Sequence, residues 1–119
     1  MRDRMARDLM VAVKARDTTA VAALRSALAA IDNAGAVASG HDQQYPVTTE
    51  HLAGAVAGLG ATEVERRVVS DGKIRGLLQS HVDEWTTAAD GLSLLGRHDR
   101  ARQLRAEADV LRRYLVALE

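Results

Sequence analysis

From residue 71 to residue 118, apolar side chains recur every three or four positions on both sides of a single glycine, Gly96. On its N-terminal side Ile74, Leu77, Leu78, Val82, Trp85, Ala88, Ala89, Leu92 and Leu95 hold this spacing for about six turns of helix. On its C-terminal side Ala101, Leu104, Ala108, Leu111, Leu115 and Leu118 step alternately by three and four, the repeat of a coiled-coil seam. Each stripe must be covered, and a turn as short as one glycine makes the two helices antiparallel neighbours that cover one another. The spacing therefore predicts a long helical hairpin, about 71–95 and 98–118, with Ser70 or Asp71 placed to cap its first helix.

The N-terminal part supplies partners for the hairpin. Residues 4–15 put Met5, Leu9, Ala12 and Val13 on one side of a short helix. Asp17 is a good N-cap for a second, from Thr18 to about Ala34, in which Val21, Leu24, Leu28 and Ile31 are spaced three, four and three among small alanines. Asn33 and Gly35 read as its stop, since both residue types tolerate the left-handed conformation common at helix ends. Between 36 and 69 the pattern breaks. Pro46 and the polar run around it read as loop, and Gly54, Gly58 and Gly60 weaken the helical candidate at 49–59, so this stretch is expected to be a loop or partly ordered. The expected fold is all-α, a four-helix bundle-like domain with the antiparallel hairpin packed on two shorter N-terminal helices.

Composition agrees with that architecture. A chain of 119 residues is read as one domain. With no Phe and 3% aromatic residues, its core must be built from Leu, Val, Ile, Met and Ala, a palette that suits helices. No cysteine is present, which excludes disulfides and thiolate chemistry. Residues 1–16 lack the apolar core of a signal peptide and no stretch is long enough to span a bilayer, so a cytoplasmic protein without a membrane partner is expected. The 16 basic and 16 acidic residues cancel, which argues against a global field for nucleic acid. Their distribution is uneven, however, with six arginines and three carboxylates between residues 97 and 118.

A search for chemistry finds no catalytic constellation. His41, His51, His81 and His98 are scattered without a second ligand at helical spacing, so neither a metal nor a cofactor is expected. Ser80 and His81 are adjacent and point to different faces of a helix. Asp83 and Glu84 read as a solvated outer face, and Trp85 as part of the core. Residues 54–60 lack the spacing of a nucleotide loop. Arg25, next to the seam residue Leu24, is expected to pair with a carboxylate of the third or fourth helix. Arg97, Arg100, Arg102, Arg105, Arg112 and Arg113 form the candidate nucleic-acid contact, interleaved with Asp99, Glu107 and Asp109.

These segments also carry a family resemblance. Residues 23–34, Ala-Leu-Arg-Ser-Ala-Leu-Ala-Ala-Ile-Asp-Asn-Ala, resemble the second helix of the YqeY family. Gly96-Arg97-His98-Asp99 and the run from Glu107 to Leu115 resemble its Gly-Arg-x-Asp turn and its closing Tyr-Leu helix. Arg25, Asn33, Gly96, Asp99, Glu107 and Tyr114 are the matching motif residues, read as structural. The family is related to the tail region of the GatB subunit of tRNA-dependent amidotransferase, so the resemblance implies an all-α fold and a link to tRNA. It covers the family's N-terminal helical domain alone. Val116 stands where a Pro usually leads into a three-helix domain, and the sequence ends at Glu119.

Two functions are consistent with this reading. The first is a non-catalytic accessory domain in tRNA or aminoacyl-tRNA metabolism, with tRNA or a tRNA-metabolism protein as partner. The alternative is a helical protein-interaction module, self-association included. The family connection would carry a carbon–nitrogen ligase label with it, but no residues to perform that reaction are apparent.

Overall fold

The computed structural model describes residues 1–40 and 68–119, and among these the protein is all-α, a helical bundle. Four helices occur there: α1 (Arg2–Ala15), α2 (Thr18–Gly40), α3 (Asp71–Leu94) and α4 (His98–Ala117). The chain divides into two compact units, Met1–Ile31 together with Ser70–Glu119, and Asp32–Val69. The buried core belongs to the first unit. The candidate helix at 49–59 and the histidines His41 and His51 lie outside the described residues.

The helix boundaries follow from local chemistry. Ser70, in an extended conformation, accepts the Lys73 N–H on its hydroxyl at 3.1 Å and so caps α3. At the other end Leu95 leaves the helix and Gly96 takes φ +78°. The Gly96 N–H then bonds to the Ser93 carbonyl and the Arg97 N–H to the Leu92 carbonyl, at 3.0 and 2.8 Å, a Schellman closure that satisfies two orphan carbonyls. The link between α1 and α2 is built the same way. Arg16 adopts φ 58°, ψ 35°, its N–H bonds to the Val13 carbonyl, and the Asp17 N–H bonds to the Ala12 carbonyl. Asp17 then accepts the Ala20 N–H on its carboxylate at 3.1 Å, so one residue ends α1 and begins α2.

Contrary to the expected stop near Ala34, α2 runs to Gly40. Gly35 is not at positive φ, so it does not serve as a C-terminal cap. The alanines on either side have the highest helix propensity and offset the roughly 1 kcal/mol that a mid-helix glycine costs. At 23 residues α2 is as long as the hairpin helices, and only α1, with 14, is shorter.

The core follows the stripes closely. Met5, Leu24, Ile31, Ile74, Leu78 and Leu111 are fully buried, each contributing roughly 1.5–3 kcal/mol relative to exposure. Ala23, Ala27, Ala89, Ala101 and Ala108 are also buried, and their small side chains let helix backbones approach closely. Near the Gly96 turn, Trp85 and Leu92 pack against Ala89, Ala101 and Leu104. Three residues of the expected stripes fall outside: Ala88 is exposed, Val13 is 44% exposed and Leu95 is 74% exposed. Val13 stands in the last turn of its helix and Leu95 just beyond the end of its own, where the stripe no longer faces a neighbouring helix.

Candidate functional site

On α4 the buried arc is wider than the seam of leucines and alanines, because Glu107, Val110 and Tyr114 are buried as well. The arginines occupy the complementary arc. At 3.6 residues per turn, Arg102, Arg105, Arg112 and Arg113 fall within about 100° of one another, on the side facing away from the core. Arg100 is exposed on a different side of the helix, and Arg97 stands at the α3–α4 turn as the residue preceding the first helical position.

Carboxylates accompany most of this face. Arg102 pairs with Asp99 one turn earlier and Arg112 with Asp109 at 2.5 Å. Arg105 reaches across the hairpin to Asp90 of α3 at 2.9 Å, and to the Ser93 hydroxyl at 3.5 Å. Neither Arg97 nor Arg100 makes an ion pair among the described residues. All three pairs are solvent-exposed, and such pairs contribute about 0–1 kcal/mol each. They hold the guanidinium groups in place without consuming them.

Of the remaining motif residues, Tyr114 joins two helices directly and Glu107 does so through its neighbour Gln103. Tyr114, buried on α4, donates its hydroxyl proton to Asp8 of α1 at 2.5 Å, and the Arg4 guanidinium lies over its ring at 5.4 Å. Burial pushes the phenol's pKa upward, the Asp8 hydrogen bond and charge add to that, and the cations Arg4 and Arg113 pull the other way. Glu107 accepts from Gln103 at 2.8 Å, and Gln103 also reaches Thr19 of α2 at 3.3 Å. Arg75 of α3 donates to the Leu118 carbonyl beyond the end of α4. Asn33 is exposed within α2, away from any helix end.

Arg25 departs from its expected role. It is exposed and makes no ion pair among the described residues. It lines, with Val13, Arg16, Thr18, Val21 and Ala22, an open concavity of about 520 Å³ at the corner of α1 and α2.

His81 sits half-buried, its ring at 83° to Trp85 with centroids 5.3 Å apart, and His98 is exposed. Among the described residues no group of three or more His, Asp or Glu side chains is arranged to hold a metal ion, and no helix is long and apolar enough to cross a membrane. Sequence reasoning missed the Thr19–Gln103–Glu107 chain, for which the spacing of Gln103 and Glu107 by four was an available signal. It also missed the Asp8–Tyr114 bond, for which no local signal exists. Neither a family model, nor a curated protein, nor a solved structure matches the chain.

Proposed function

We propose that the protein is a non-catalytic helical domain of the GatB/YqeY-like type that acts as an accessory in tRNA or aminoacyl-tRNA metabolism, touching RNA through α4. The observation that supports this reading is the arrangement of Arg102, Arg105, Arg112 and Arg113 on one exposed face of a helix held rigidly by the core. Phosphate recognition needs guanidinium groups at the surface in fixed register, and it needs no stacking aromatics when shape and backbone charge suffice. The carboxylates on this face are no barrier, because a phosphate can replace an exposed carboxylate partner at little cost. The GatB/YqeY likeness supplies tRNA as the RNA in question and the cytoplasm as the compartment. Bulk tRNA binding, compared between the natural protein and a double Arg102→Ala, Arg105→Ala variant, tests the proposal.

A second reading, a protein-interaction module, draws support from apolar side chains on α1 that are not covered. Met10 is 58% and Val11 65% exposed. Self-association belongs to this reading and is checked by the concentration dependence of molecular size.

A further inference from the structure

The corner where α1 meets α2 combines features that the RNA reading does not use. The concavity there has an apolar floor, Val13, Val21 and Ala22, and two cations at its edge, Arg16 and Arg25. Met10, one turn before Val13 on the same side of α1, is also exposed. Neither arginine makes an ion pair among the described residues. Asp17, the carboxylate next to Arg16 in the chain, is directed at the Ala20 N–H and is occupied in capping α2.

Arg16 adds a second, independent observation. It holds the left-handed conformation that closes α1, with φ 58°. A glycine would take this conformation freely, whereas a residue with a Cβ is strained there. An arginine at a strained position points to a use for its side chain.

We propose that this concavity docks a short acidic amphipathic segment of a partner protein. Its apolar side chains seat on Val13, Val21 and Ala22, and its carboxylates pair with Arg16 and Arg25. Charge complementarity selects this occupant. An RNA backbone would gain nothing from an aliphatic floor that offers no ring to stack on, and a purely apolar peptide would leave both guanidinium groups without partners. The site is small, so the contact is a weak, exchangeable one in which charge sets orientation.

The test is selection of random dodecapeptides on the intact chain, followed by anisotropy measurements with one synthesised peptide from the enriched set. The expected binders combine aliphatic residues with Asp or Glu. The chosen peptide should lose about tenfold or more in affinity for an Arg16→Glu, Arg25→Glu variant, and the same peptide with its acids replaced by Lys should regain affinity for that variant. Both substituted positions are exposed, and the regained binding itself reports a folded site. Failure to enrich any peptide, enrichment of basic or uncharged ones, or affinity indifferent to the charge reversal would overturn the proposal. So would loss of tRNA binding in the same variant without any peptide effect. The RNA reading rests on α4 and stands or falls separately.

Discussion

Arg16 and Gly96 play the same part in two copies of one turn: each takes a left-handed conformation just past a helix and donates its N–H to a carbonyl three residues back. They differ in what that conformation costs. Replacing Arg16 with Gly should stabilise the fold by up to about 1 kcal/mol, because it relieves backbone strain at the α1–α2 corner. Replacing Gly96 with Ala should destabilise it by about 1 kcal/mol, and purely through the backbone, since a Cβ built there meets nothing within 4 Å. Urea unfolding of the two variants should show shifts of opposite sign. Shifts of the same sign would contradict the shared geometry.

Leu111 is fully buried at the centre of the α4 seam. Leu111→Ala should cost about 2–5 kcal/mol as a cavity mutation and lower the melting temperature accordingly. An unchanged melting temperature would mean that the seam does not face the core.

Tyr114 makes stability fall at alkaline pH. Its pKa is raised above the ordinary 10.0, so the folded state keeps a proton that the unfolded chain releases. That contribution is complete below about pH 10 and is lost as pH rises through the folded value. Tyr114→Phe should cost about 1 kcal/mol at neutral pH, since Asp8 is partly exposed and can rehydrate. Relative to that variant, the natural protein should lose about 1 kcal/mol between about pH 9 and about pH 11. Parallel stability curves across that range would remove Tyr114 as the cause.

The features legible in the sequence are those set by neighbours along the chain. The hairpin stripes, the Gly96 turn and the caps at Asp17 and Ser70 each depend on residues within one or two turns, and the structure has them where the spacing puts them. The end of α2 is not legible in this way, because Gly35 and Asn33 act as stops only when propensity on their far side is weak, and here alanines carry the helix onward. Val13 and Arg25 escape a reading by stripes, since their surroundings depend on the angle of the α1–α2 corner. The Asp8–Tyr114 bond joins residues 106 positions apart and is set by tertiary packing alone. As for the candidate arginines, helical spacing is enough to bring four of them to one face, but the reach of Arg105 to Asp90 belongs to the hairpin.

Bulk tRNA affinity across a salt series, measured for the natural protein and the Arg102→Ala, Arg105→Ala variant, tests most directly the proposed binding of RNA phosphates by the arginine face of α4. Binding should weaken steeply with salt, with a slope lower by about two in the variant, one for each phosphate that no longer meets a guanidinium. No binding even at low salt, or an unchanged slope in the variant, would contradict the proposal.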